Sequence, residues 1–103
     1  MDITIAQEQA GTQCRLSLCG EMSIYNTAEL KPRLLTCLQD AESLAIDLSE
    51  ISELDTAGLQ LLWLCQQEAA LTGKIFTITA TSTAAMESIA LLRLEPLFNL
   101  PPM

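Results

Sequence analysis

The sequence predicts an α/β domain: a small mixed β-sheet, in the order β-β-α-β-α-β-α, with helices mainly on one face. Three observations predict it. Short runs with apolar residues at every second position recur along the chain. Between the later runs lie stretches with apolar residues at helical spacing. Strands separated by helices favour parallel pairing through crossover connections. The 103 residues show no internal repeat or linker, so residues 1–103 are expected to form a single domain.

Each element has a local cause. In residues 2–7, Ile3 and Ile5 share one face of a short strand. Ala10-Gly11-Thr12-Gln13 is a turn. In residues 14–19, Cys14, Leu16 and Leu18 alternate with Arg15 and Ser17, which suggests an antiparallel pair with the first run. Gly20 is expected to end that strand, leaving Glu21 to Tyr25 as a loop. Asn26 or Thr27 then caps a helix, and Asn26 with Glu29 resembles a capping box. Leu30, Leu34, Leu35 and Leu38 form its apolar stripe. Pro32 predicts a kink or a later helix start, because it removes one helical hydrogen bond.

Residues 43–48 read as a strand, with Leu44, Ile46 and Leu48 on one face, followed by a short acidic loop. Asp55 opens a helix over roughly residues 56–72, its inner side carrying Leu59, Leu62, Cys65, Gln66 and Ala69, and Gly73 stops it. Trp63 lies at the edge of that stripe, open to a core or an interface role. Residues 75–80 are a strand rich in β-branched side chains. Ser82 or Thr83 caps a third helix with Met86, Ile89 and Ala90 inward. Leu94-Glu95-Pro96 breaks it, Leu97-Phe98 adds a last turn, and Pro101-Pro102-Met103 is a loose tail.

Composition excludes several functions. The chain has no histidine, which removes Ser-His-Asp triads, Cys-His dyads and His-containing zinc sites. Its carboxylates show no nucleophile–base pairing, so an enzyme is not expected. The net charge of −8 opposes nucleic-acid binding and polybasic attachment to lipid. No apolar run approaches the roughly 20 residues that span a bilayer, so no direct membrane insertion is expected. Cys14, Cys19, Cys37 and Cys65 form no C-x-x-C pair and mostly lie in apolar stretches, which suggests reduced core thiols. With no leader pattern after Met1, the expected location is cytoplasmic. No glycine-rich phosphate loop is visible, and no cofactor or metal is expected.

The informative segment is Leu54-Asp55-Thr56-Ala57-Gly58-Leu59. Asp55 at an N-cap accepts from the free amides of the first turn. Thr56 then stands at the positive end of the helix dipole. Gly58 adds no side chain, so another molecule is expected to approach closely there. A phosphate on Thr56 would meet unsatisfied amides, yet add charge beside Glu50, Glu53 and Asp55. A cap alone also explains Asp55. With Glu21, the three acids otherwise read as a solvated rim, whose protein partner would be basic.

The chain resembles the STAS domain family, the module of sulfate transporters and anti-sigma-factor antagonists. The matching residues are Gly20-Glu21, Ala45-Ile46-Asp47-Leu48-Ser49 and Leu54-Asp55-Thr56-Ala57-Gly58-Leu59. The last stretch is similar to the family's Asp-Ser-[small]-Gly-Leu phosphorylation motif, with Thr56 at the acceptor position. Ser23 stands where many antagonists have the Asp of Gly-Glu-Leu-Asp. The resemblance implies a non-enzymatic switch that binds a GHKL-type kinase when unphosphorylated, releases it when phosphorylated, and is reset by a PP2C-type phosphatase. It implies partner contacts at Glu21, Ser23, Tyr25, Asn26, Asp55, Thr56, Ala57, Gly58 and Leu59. The stretch Ser23 to Leu30 most resembles stand-alone STAS proteins of bacterial chemotaxis gene clusters. The chain also resembles the STAS subunit on the ATPase of the phospholipid-trafficking ABC transporter, where Thr56 would dock and not carry phosphate.

Overall fold

Gly11, at φ +64°, reverses the chain between β1 (Ile3–Ala10) and β2 (Gln13–Met22), which pair antiparallel. The computed structural model describes residues 3–98. After β2 come α1 (Thr27–Asp40), β3 (Ser43–Leu54), α2 (Thr56–Leu71), β4 (Ile75–Thr81), α3 (Thr83–Leu91) and a 3₁₀ turn, Glu95–Leu97. The four-stranded sheet has the order β1-β2-β3-β4, and the β2–β3 and β3–β4 pairs are parallel. The mixed α/β architecture is the expected one.

Period-2 alternation puts Cys14, Leu16, Leu18, Leu44, Ile46, Leu48, Phe76 and Ile78 on one face, all buried. Against it pack Leu30, Leu34, Cys37 and Leu38 of α1, Leu59, Leu62, Cys65 and Ala69 of α2, and Ala85 and Ile89 of α3. The other face shows Arg15, Ser17, Asp47 and Thr79 around a shallow polar depression. Cys14, Cys37 and Cys65 are buried thiols, Cys19 is exposed, and all four are free.

Gly73, at φ +70°, ends α2 in a left-handed turn, and Lys74 N–H donates back to the Ala69 carbonyl at 2.8 Å. That turn aims Lys74 at α1. Its Nζ donates to the carbonyls of Leu38 (2.5 Å) and Gln39 (2.7 Å), in a helix with no basic residue in its own last turn.

Several boundaries differ from the sequence reading. β2 does not end at Gly20, which is held at φ +121° inside the strand, but continues to Met22. The segment after Leu48 is not a loop. It is the second half of β3, paired with β2 as Cys19↔Glu50, Gly20↔Ile51, Glu21↔Glu53 and Met22↔Leu54. Register shifts on both sides of Gly20 break the alternation there. Asn26 occupies the N-cap position of α1 but makes no side-chain cap bond, so the capping box does not form. The helix starts at Thr27 and runs through Pro32 without a later start. Ser82 caps α3 by accepting from Ala85 N–H. Ala85 takes the buried place expected of Ala90, which is exposed. Arg93, at φ +54°, follows the end of α3, and the last turn is Glu95–Leu97 with Phe98 buried after it. The expected tail 101–103 lies outside the described residues.

Candidate functional site

Asp55 joins two segments. Its backbone is extended (φ −96°, ψ −176°), the N-cap conformation, and its Oδ1 accepts from Gly58 N–H at 3.0 Å. Its Oδ2 accepts from Ile24 N–H, also at 3.0 Å. Its own N–H donates to the Met22 carbonyl at 3.2 Å. The start of α2 is therefore tied to the end of β2 by side chain and main chain together.

Gly58 completes that contact from the inside. A Cβ there would lie 2.5 Å from the Met22 carbonyl oxygen and 2.7 Å from Leu54 Cδ1. Its lack of a side chain admits the protein's own β2, not another molecule as the spacing suggested. Leu59 is likewise buried.

The loop 23–26 folds around its own polar groups. The Ser23 carbonyl accepts from Asn26 N–H (2.9 Å) and Thr27 N–H (3.0 Å), and Ser23 Oγ accepts from Tyr25 N–H (3.3 Å). Asn26 Nδ2 donates to the Glu21 carbonyl at 2.5 Å. Ser23 and Asn26 are consequently buried, while Ile24 and Tyr25 are thrown outward, 66% and 83% exposed. Thr56 is exposed at the first position of α2, with Ala57 half-buried behind it.

Of the nine residues singled out from the sequence, Glu21, Tyr25, Asp55, Thr56 and Ala57 reach the surface at this end of the sheet. Ser23, Asn26, Gly58 and Leu59 shape it from within. The register sets Glu21 beside Glu53, two like charges on neighbouring strands. Among the described residues the one ion pair is Arg15–Glu8, elsewhere in the molecule, so neither acid is ion-paired there. No group of three potential metal-ligating side chains converges among the described residues.

Sequence reasoning passed over Ile24, although an isoleucine in a polar loop was a visible signal. Trp63 is 36% exposed, its ring edge-on to Phe98 at 6.4 Å and 88°. It lines an apolar cleft that also receives Thr56. That cleft was not legible, because its second wall comes from beyond α3.

Residues 5–100 match the family model described as Mlab, STAS domain. The chain belongs to the STAS family. Among solved structures, this STAS domain is similar to an anti-sigma factor antagonist from Mycobacterium paratuberculosis. The two are 25% identical with a TM-score of 0.87, over 99% of this chain and 87% of that one. It is also similar to the Bacillus cell fate determinant SpoIIAA, at 13% identity in both of its forms. For the unphosphorylated form the TM-score is 0.78, over 96% of this chain and 89% of that one. For the phosphorylated form it is 0.73, over 96% and 92%. At that identity the likeness to SpoIIAA is one of fold. No helix among the described residues is long and apolar enough to cross a membrane.

Proposed function

We propose that this STAS domain is a non-enzymatic signalling switch of the anti-sigma-factor-antagonist type, acting in the cytoplasm. Thr56 is its phosphoacceptor. The surface formed by Glu21, Ile24, Tyr25 and the start of α2 binds a GHKL-type serine/threonine kinase or a related regulator. A PP2C-type phosphatase resets it, and a chemotaxis pathway is the setting that the Ser23–Leu30 stretch suggests.

The observation that carries this reading is the placement of Thr56. It is solvent-exposed on the first turn of a helix whose cap is fixed by Asp55, the same residue that holds the Ile24 amide of the loop presenting Tyr25. A phosphate there gains helix amides but meets Glu53 and Asp55, and it must be desolvated by any partner seated on that surface. Binding is thus favoured without phosphate.

The test is incubation with the cognate kinase and ATP, read by intact mass. Wild type gains one phosphate and Thr56→Ala gains none. The reading fails if wild type stays unmodified, or if Thr56→Glu and wild type bind the kinase equally.

A second reading uses the same exposed hydroxyl. As a subunit on the ATPase of a phospholipid-trafficking ABC transporter, the domain would dock through Thr56 without phosphate. Co-purification with an ABC ATPase, lost in Thr56→Ala while no phosphate is ever found, decides for it.

A further inference from the structure

One flank of α2, at the border of the core, and the segment 92–98 enclose a cleft of about 320 Å³. Leu59 and Trp63 make one wall, and Leu92, Leu94, Leu97 and Phe98 make the other. Trp63, Leu97 and Leu92 remain 36%, 40% and 47% exposed. Two contacts hold the walls in place. Trp63 meets Phe98 edge-on, and Gln66 Nε2 of α2 donates to the Leu97 carbonyl at 2.6 Å. The walls are thus held apart by contacts within the protein, the lining is mostly apolar, and the volume lies at the lower end of the range for binding clefts.

Charge selects the occupant. The chain carries −8. Glu95 stands in the turn of the second wall, Asp55 precedes Thr56 at the other end, and Arg93 is the one cation in residues 92–98. A second copy docking here would bring two chains of −8 together. A basic flank meets this charge with opposite sign.

We propose that the cleft docks an amphipathic helical segment of a partner protein, apolar along one face and net positive on its flanks. Its anchors enter at i and i+4 spacing between Trp63 and Leu97. This adds an apolar contact to the docking surface proposed above, and it rests on that reading only for Thr56 being the modified residue at the cleft's margin.

Trp63 is the chain's one tryptophan, so its emission reports the cleft directly. The probe is a synthetic amphipathic helix of Leu and Lys, with the same peptide in Leu and Glu as comparator. The Leu/Lys peptide is expected to bind saturably with a blue shift of Trp63, at least tenfold tighter than the Leu/Glu peptide. Leu92→Glu weakens that binding at least tenfold although it adds negative charge. Leu91→Glu, at a position 82% exposed and outside the lining, leaves binding unchanged or tighter. Leu97→Gln is the second cleft variant, should Leu92→Glu lower the unfolding midpoint.

The proposal is overturned if both glutamate variants tighten binding alike, since the attraction is then bulk charge. It is overturned equally if the Leu/Glu peptide binds as well as the Leu/Lys one. A wild-type dimer in sedimentation that Leu92→Glu dissolves would also overturn it, by making a second copy the occupant. Phosphate uptake at Thr56 is measured separately by mass, so loss of the switch reading with peptide binding intact is distinguishable from the reverse.

Discussion

Ile24 and Asp55, 31 residues apart in sequence, are joined by one hydrogen bond in which the Ile24 amide donates to Asp55 Oδ2 at 3.0 Å. The other carboxylate oxygen holds Gly58 N–H. One side chain therefore sets both the cap beneath Thr56 and the loop that presents Tyr25. Removing it is expected to cost the cap, typically about 1 kcal/mol, and a charge-assisted bond of about 1.5 kcal/mol or more. Asp55→Ala should thus lose about 2–3 kcal/mol in urea unfolding, with faster amide exchange at Ile24. Asp55→Asn keeps a good capping oxygen but turns an NH₂ toward Ile24, so it should lose less stability while showing the same faster exchange.

Gly58 gives a prediction with an unusual sign. In an exposed helix interior, Gly→Ala gains roughly 1 kcal/mol. Here the added Cβ would lie 2.5 Å from the Met22 carbonyl oxygen. Gly58→Ala is expected to destabilise by about 1–3 kcal/mol, and to shift the amide resonances of Met22 and Leu54. A denaturant midpoint at or above wild type would contradict the close packing of α2 on β2.

Lys74 closes α1 from outside that helix, through two carbonyls in its last turn. Lys74→Met keeps much of the aliphatic stem and removes the donors. The expected loss is about 1–2 kcal/mol. Exchange protection should fall first in residues 36–40, not in α2.

Burial pushes the Cys65 thiol up to about 12. Burial first, then the neighbouring Cys14, pushes Cys37 up to about 11. Both start from 9.0. Above pH 9.0 the unfolded chain releases these protons while the folded chain keeps them, so stability falls as pH rises toward 11–12. Below that window the thiols are neutral in both states and contribute no slope. Unfolding midpoints across the window should drop less steeply in Cys65→Ala. At neutral pH a thiol reagent should modify exposed Cys19 first.

The parts legible in the sequence are those whose cause is local. Alternation in 14–19 and 43–48 located β2 and β3, and Asp55 before Thr56 located a true cap. The parts that were not legible depend on partners distant in the chain. Ile51 and Leu54 are both buried but three residues apart, so Ser49–Leu54 reads as a loop until β2 is laid beside it. Asn26 looks like a cap from its neighbours. In the fold its amide is drawn back to the Glu21 carbonyl instead. Gly58 was visible as a position needing space, but its neighbours are Met22 and Leu54. The cleft wall at 92–98 follows from a turn set by Arg93 at φ +54°, which no periodicity marks.

The twelve-residue β3 has a consequence for recognition. Glu50 and Glu53 sit on a hydrogen-bonded strand opposite Cys19 and Glu21, and Asp55 is locked one residue beyond its end. A partner meets carboxylates carried on a backbone fixed by strand pairing, with Thr56 following the capped residue at its end. Little backbone ordering entropy is left to lose on this side of the complex. Discrimination then falls to the geometry of the incoming molecule: a basic surface of matching pitch engages at once, and for one of the wrong pitch the paired strand does not shift its register.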